Sequence, residues 1–217
     1  MNIKPMLARL QSAMGRDDII EQILLLPEPT KAFPEQCLIN KSVNLIVGYD
    51  ASPNSHTALD IAFWIAHQTR LATNQEVIVQ AVYVVEESYD DSKSHPLRII
   101  KKLSTVESPV SEISKSPTSI LIHPTVQETV SKVQRNTRNS LQEADRILWQ
   151  ARNLAEEWQG SFKSHLRFGN VSKELKTVVE MESADILFLG CQSVYHPLIQ
   201  QISSNCPCAV VGTPNSI

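Results

Sequence analysis

The sequence lacks the features that mark several large classes of protein. No apolar run approaches the roughly 20 residues that a membrane-spanning helix needs, and residues 1–16 lack the apolar core and cleavage site of a signal peptide. The 20 basic and 23 acidic side chains nearly cancel, so no basic field attracts nucleic acid. We therefore expect a cytoplasmic protein without a membrane or nucleic-acid partner. The cysteines, which form no disulfide-dense pattern, agree with this compartment: Cys37, Cys191, Cys206 and Cys208.

The motifs of enzymatic chemistry are also missing. The sequence has no nucleophile elbow, no Walker loop and no acid pair. Its six histidines form no cluster with the spacing of metal ligands. The Cys206-Pro207-Cys208 stretch lacks the two-residue spacing of a zinc or thioredoxin site, so we interpret it as structural. These observations predict a protein that is not an enzyme and has no metal site.

Apolar stretches alternate with amphipathic helical patterns along most of the chain. Ser52 and Asn170 are predicted to cap helices, and a Thr125–Glu128 capping box begins a long one. Strand, helix and strand in succession favour right-handed parallel units. The predicted strands are Val43–Tyr49, Val77–Val85, Phe162–Phe168, Ile186–Leu189 and Cys208–Val211.

Two segments fall outside this alternation. Residues 1–40 are predicted to form a helical extension with two apolar stripes, ahead of a main domain over residues 41–217. Residues 86–124 have no sustained period and are rich in serine and proline, which is typical of an insertion. The stripes either cover the protein's own surface or bind a partner. A protein partner is accordingly placed at residues 1–30 or 86–135.

The turn after Ile186–Leu189 is the first candidate site. This run is continuously apolar, as in a strand buried on both faces, and it stops at Gly190. A glycine at the carboxyl end of such a strand permits a tight turn and the close approach of a ligand. The candidate residues here are Gly190, Cys191, Gln192 and Ser193. Cys191 is either a thiol with a lowered pKa or a buried, inert side chain, and the second interpretation is favoured.

The order and spacing of five motifs resemble the universal stress protein family. They are NLIVGYDAS, VYVVEE, FGN, ADILFLG and CPCAVV, and the resemblance covers about Ser42–Gly212 apart from the insertion. It implies an α/β fold of the adenine nucleotide alpha hydrolase type. That fold is an open five-stranded parallel sheet in the order 3-2-1-4-5 with helices on both faces. It also implies a homodimer formed through the last strand, Cys208–Val211, which is an apolar edge strand that needs covering.

The same resemblance implies a nucleotide site where the strand order reverses. The loops after the first and fourth strands face each other at this switch point. Asp50 matches the acidic residue that meets the nucleotide, and the main chain of Val84 matches the adenine contact. Gly190 matches the first glycine of the phosphate loop, whereas Ser193 replaces the second and His196-Pro197 the final pair. The resulting binding candidates are Asp50, Ala51, Ser52, Val84, Gly190, Cys191, Gln192 and Ser193.

Three outcomes for the site stay open. The loop is several residues too short to wrap a triphosphate, and Pro197 removes an N–H. The cleft therefore binds ATP, binds a smaller anion such as AMP, or is vestigial, and no cofactor is certain. Asp50 is either a ligand contact or a turn residue at a helix N-terminus. Three functions stay open as well. The first is a non-enzymatic, dimeric stress-response or signalling protein with a degenerate site. The alternatives are an ATP- or AMP-binding sensor or slow ATPase, and a protein-interaction module that acts through the N-terminal helices and the insertion.

Overall fold

The structure, a computed structural model, describes residues 4–27, 42–86, 124–203 and 206–214. The chain divides into two compact units, residues 1–87 with 144–217 and residues 88–143. The first unit contains the sheet. The described part of the second unit, residues 124–143, is helical. Nearly all of the predicted insertion and the first part of the predicted docking segment 86–135 lie outside the described residues.

The helices and strands follow one another in the predicted order from the second strand onward. Ser52 caps α3 by accepting a hydrogen bond from the Ser55 amide, and Asn170 caps α5 through the Lys173 amide, as predicted. The described elements are α1 (Lys4–Met14), α2 (Ile19–Ile23), β1 (Leu24–Leu26), β2 (Val43–Gly48), α3 (Pro53–Thr73), β3 (Val77–Val85), α4 (Pro124–Glu157), β4 (Ser161–Phe168), α5 (Val171–Met181), β5 (Ile186–Leu189), α6 (Pro197–Ser203) and β6 (Ala209–Val211).

The sheet has the order β1-β6-β5-β2-β3-β4. All neighbours pair in parallel except β1 and β6, which are antiparallel. The five strands β4-β3-β2-β5-β6 reproduce the predicted 3-2-1-4-5 order, so that prediction is confirmed. The strand count was too low by one, because the extension adds β1.

The expectation that the last strand is an uncovered edge is wrong. β1 pairs with β6, with Leu24 opposite Val211 and Leu26 opposite Val210. The Gly212 amide also donates to the Ile23 carbonyl at 2.7 Å. Leu24 is not recognisable as a strand residue from the sequence, because it continues the apolar stripe that Ile19, Ile20 and Ile23 form in the second predicted helix. Homodimerisation itself stays a prediction.

Both faces of the sheet are covered by helices of the same unit. One face packs against α1, α2, α3 and the end of α4, and it includes the fully buried Phe63 and Phe188. The other face packs against α5 and α6 around Leu175 and Ile202. Four apolar side chains of α1 and α2 lie in the first core, namely Leu7, Leu10, Ile19 and Ile23. These four side chains are therefore not available to bind a partner. For them, the interpretation that the stripes cover the protein's own surface applies.

A chain of buried polar groups crosses three strands. Gln80 is fully buried, and its amide nitrogen donates to Asn44 Oδ1 at 3.1 Å. Gln80 Oε1 lies 2.7 Å from His165 Nε2, and Asn44 Nδ2 donates to the Glu182 carbonyl. A buried polar group without a partner is costly, so this network favours one register of β2, β3 and β4. Separately, none of the helices in the described part of the chain is long and apolar enough to cross a membrane.

Candidate functional site

A cleft of about 410 Å³ opens at the carboxyl ends of the central strands. Its walls come from the ends of β2, β3 and β5, from the start of α3, and from α5 and the loop into α6. This is the point at which the strand order reverses, where open α/β sheets bind ligands. The volume lies toward the lower end of the about 300–1,000 Å³ typical of small-molecule sites.

Two loops predicted to be neighbours meet in this cleft. Gly190 follows β5, and a Cβ placed on it would come 2.8 Å from the Ser55 amide nitrogen and 3.0 Å from the Asn54 carbonyl carbon. Contacts this short to backbone atoms leave no space for a side chain. The residue after β5 must therefore be glycine for α3 to begin where it does.

Asp50 is held as a carboxylate at the mouth of the cleft. Its Oδ1 accepts a hydrogen bond from the Ser52 amide at 2.9 Å, and its own amide donates to Ser55 Oγ at 3.4 Å. Burial alone would raise the pKa of Asp50, but the hydrogen bonds from Ser52 and Ser55 outweigh burial and lower it. Ala51 lies between them with φ = 63°, a left-handed conformation that turns the chain sharply into the helix. The site therefore presents a fixed negative charge.

Tyr49 supplies a hydroxyl that does not ionise near neutral pH. Burial, followed by the charges of Asp50 and Asp60, raises its pKa to about 12. The hydroxyl lies 3.1 Å from His56 Nδ1, and the two rings meet edge to face. Tyr49 is thus a neutral hydrogen-bonding wall of the cleft.

The remaining walls of the cleft are largely apolar. Val82, Val84, Val171, Leu175, Leu189 and Leu198 contribute aliphatic surface. A pocket of this composition suits a flat, weakly polar ring, because burying it removes apolar surface from water on both sides.

The loop between β5 and α6 uses its own backbone donors. The Tyr195 amide donates to Ser193 Oγ at 3.2 Å, and the His196 amide donates to the Ser193 carbonyl at 3.1 Å. The Leu198 amide donates to His196 Nδ1 at 3.3 Å, and Pro197 has no N–H. From residue 195 to residue 198, the backbone therefore has no amide left for a phosphate.

Cys191 and His196 lie side by side at the base of this loop. Cys191 Sγ is 3.4 Å from His196 Nδ1. Burial, followed by the charge of Asp50, raises the pKa of Cys191 to about 11, so the thiol stays protonated at neutral pH. This supports the inert interpretation of Cys191. Because His196 Nδ1 accepts from the Leu198 amide, the neutral imidazole carries its proton on Nε2.

The charge of the cleft is negative in its described part. Asp50 and Glu86 line it, and among the described lining residues there is no lysine or arginine. Within the described ranges, no group of three or more His, Cys, Asp or Glu side chains is placed to hold a metal ion. Nothing described here neutralises a triphosphate.

The structure brings together five of the eight residues proposed from the sequence. Asp50, Ser52, Val84, Gly190 and Cys191 line the cleft. The other three, Ala51, Gln192 and Ser193, are not among its lining residues. Their ligand roles are not tested by this placement.

Each of the three residues outside the cleft takes part in a turn or a hydrogen bond of the protein itself. Ala51 forms the turn, and the Gln192 side chain lies 3.5 Å from the Pro214 carbonyl. Ser193 accepts the Tyr195 amide.

Several lining residues were missed as site residues. Val171 and Leu175 lie on the inner face of α5, and the same face also borders the cleft. His196 had been noted only as a departure from the phosphate loop. Other additions are Tyr49, Ser55, Glu86 and Leu198. The strand-end position of Tyr49 and Glu86 was the available signal.

Comparison with known proteins identifies a family for most of the chain. The model of the Universal stress protein family matches residues 43–211. A search of curated protein sequences returns no match.

Solved structures with the same description are also similar. One from Burkholderia pseudomallei is 16% identical, with coverage of 78% of this chain and 96% of that one and a TM-score of 0.43. One from Arabidopsis thaliana, with AMP bound, is 11% identical, with coverage of 80% and 92% and a TM-score of 0.48. One from Archaeoglobus fulgidus, in complex with dAMP, is 11% identical, with coverage of 80% and 99% and a TM-score of 0.42.

Proposed function

The chain belongs to the universal stress protein family, and from that premise we propose that it is a non-enzymatic stress-response or signalling protein. Its cleft binds a nucleoside that carries at most one phosphate, and AMP is the ligand to test first. The observation that carries this proposal is the combination of an apolar cleft with a loop whose amides at positions 195, 196 and 198 are already used.

The walls of the cleft suit the parts of a mononucleotide. The aliphatic side chains of Val84, Val171 and Leu175 suit an adenine ring. The Asp50 carboxylate suits ribose hydroxyls, because an ionised carboxylate accepts two donors at once. His196 Nε2 is a donor for one phosphate, in a loop whose neighbouring amides are used internally.

Charge argues against the ATP alternative. Each further phosphate places more negative charge near Asp50 and Glu86. The described lining residues include no lysine or arginine that would neutralise this charge. Like charges in a partly desolvated cleft repel strongly. The proposal therefore favours the small-nucleotide alternative over an ATP sensor or a slow ATPase.

The raised pKa values of Cys191 and Tyr49 support a binding role without catalysis. Both have raised pKa values, about 11 and about 12, so neither is an ionised nucleophile or a base at neutral pH. Asp50 has a lowered pKa, which makes its carboxylate a weak proton acceptor.

A cytoplasmic location completes the proposal, whereas the homodimer through β6 that the family resemblance implies is not part of it. The edge of β6 is occupied by β1, so pairing of two copies there requires β1 to leave. The alternative of an interaction module depends mainly on residues 86–135, since the described helices of the extension are largely engaged with the protein's own core.

Titration calorimetry with AMP and adenosine tests the proposed binding mode. His196→Asn places an oxygen near the position of Nδ1, which retains the cap on the Leu198 amide, and removes the atom at Nε2. We expect this variant to bind adenosine as the parent does and AMP about tenfold more weakly, since one charge-assisted hydrogen bond is lost. His67→Asn, on the exposed side of α3, is the matched control. An equal loss for both ligands, or no loss, would contradict the mode.

A further inference from the structure

We infer that residues 4–27 act as a built-in partner strand, which closes the β6 edge and keeps the full chain from pairing with a second copy there. When β1 is displaced, the same edge accepts β6 of a second copy. This inference does not depend on the nucleotide proposal, because no residue of β1 or β6 lines the cleft.

The β6 edge is tightly occupied by β1. Leu24 lies opposite Val211 and Leu26 opposite Val210, and the Gly212 amide donates to the Ile23 carbonyl. Leu25 is 5% exposed, and a Cβ on Gly212 would come 2.7 Å from its Cδ1 atom. The chain after β6 is therefore shaped to receive this leucine.

The rest of the segment anchors β1 to its own domain. Leu7, Ile19 and Ile23 are fully buried in the core that also contains the inner face of α3. Between α1 and α2, Arg16 pairs with Asp18 at 3.1 Å and also donates to Gln22. These contacts hold β1 at the edge as an intramolecular strand, at a high effective concentration that a second copy must exceed.

The edge beneath β1 is suited to a second copy of this chain. Ala209–Val211 is a fully buried apolar strand, and it already accepts an antiparallel neighbour. Two β6 strands related by a two-fold axis would also be antiparallel, which is the arrangement of an isologous dimer. Unpaired strand edges readily pair with another chain.

Within the described part of the chain, β1 is the outermost strand on this side of the sheet. β1 is only three residues long, and Pro27 follows it directly. Short edge strands and prolines are the usual means of preventing further pairing. The docked segment thus replaces a strand edge that pairs readily with another chain by an edge that is poorly suited to pairing.

Light scattering after size-exclusion chromatography of the full chain tests this inference. We expect the parent protein to be a monomer at micromolar concentration. Leu25→Asp places a charge in the site that Leu25 fills, so β1 leaves and a concentration-dependent dimer appears. Leu71→Asp is the matched control, since this leucine is 70% exposed, and it should remain a monomer. A Leu25→Asp protein that is folded by circular dichroism and still monomeric overturns the inference.

A crosslinked variant decides the question if Leu25→Asp does not fold. Residues 24 and 211 are opposite one another, within reach of a disulfide. In Leu24→Cys/Val211→Cys, oxidation should link the two cysteines within one chain and leave the protein monomeric. A disulfide between chains, no disulfide, or a dimer that persists after the intrachain link forms would overturn the inference.

Discussion

Gly190 lies so close to Ser55 that a Cβ on the glycine would come 2.8 Å from the Ser55 amide nitrogen. Ser55 in turn receives the Asp50 amide on its hydroxyl and donates its own amide to Ser52. The end of β5 therefore sets the position of the α3 N-terminus, and that N-terminus sets the position of Asp50. The close contact at Gly190 thus determines how the loop after β5 and the N-terminus of α3, which both line the cleft, are placed relative to each other.

Replacing this glycine should damage both stability and binding. Gly190→Ala forces the first turn of α3 away from β5, and we expect a loss of about 1–3 kcal/mol in the free energy of unfolding. Urea denaturation measures this loss. Val194→Ala, at an exposed position in the same loop, is the control and should change stability by less than about 0.5 kcal/mol. Equal stability of Gly190→Ala and the parent would show that the contact is not tight.

Asp50 should make stability depend on pH in the acid range. Because its pKa is lowered in the folded protein, the carboxylate stabilises the fold at pH values above the ordinary pKa of 3.8. This contribution is lost as the pH falls through the lowered folded-state pKa. We expect Asp50→Asn to be less stable than the parent at pH 7, and the difference to shrink below about pH 4.

Thermal unfolding at a series of pH values checks the Asp50 prediction. Asp17→Asn is the control, since Asp17 is exposed outside the cleft. A difference between Asp50→Asn and the parent that grows on acidification would have the wrong sign for a lowered pKa.

The buried Gln80 should be essential to the sheet. Gln80→Leu leaves Asn44 Oδ1 and His165 Nε2 without their partner, and each unsatisfied group costs about 1–3 kcal/mol. We expect a correspondingly lower urea midpoint. Gln142→Leu, at an exposed position on α4, should leave the midpoint nearly unchanged. If both variants behave alike, the polar network does not stabilise the fold.

Thr213 should tolerate the loss of its hydroxyl. Its Oγ1 atom is buried and has no hydrogen-bond partner among the described residues, although its amide donates to the Cys191 carbonyl at 3.0 Å. Thr213→Val has the same shape without the unpaired oxygen, so we expect an unchanged or higher stability, by up to about 1–3 kcal/mol. Calorimetric melting of the two proteins measures the difference. A clear loss of stability would mean that the hydroxyl has an important partner.

The five-stranded part of the sheet was predictable because its signals are local. Ile186–Leu189 is a continuous apolar run, and Val43–Gly48 is apolar apart from Asn44. Ser52 and Asn170 cap the helices that follow two of the strands. β1 was missed for a physical reason. Leu24 continues a helical stripe, and only pairing with Val211, at the other end of the chain, makes it part of a strand.

The candidate site was predictable in position but not in detail. The switch-point rule located Asp50 and Gly190 from the order of the strands. The role of the loop amides could not be predicted, because it depends on how His196 folds back toward Cys191 and Leu198. The sequence showed that Pro197 removes one donor, and the structure shows that its neighbours are used as well.

The central claim is that the cleft accepts one phosphate rather than three, and titration calorimetry of the full chain with AMP and ATP tests it directly. The charges of Asp50 and Glu86 and the used amides of residues 195, 196 and 198 predict saturable binding of AMP. They also predict that ATP binds at least about tenfold more weakly, which is about 1.4 kcal/mol. ATP binding as tight as AMP binding, or no binding of AMP at all, would contradict the claim.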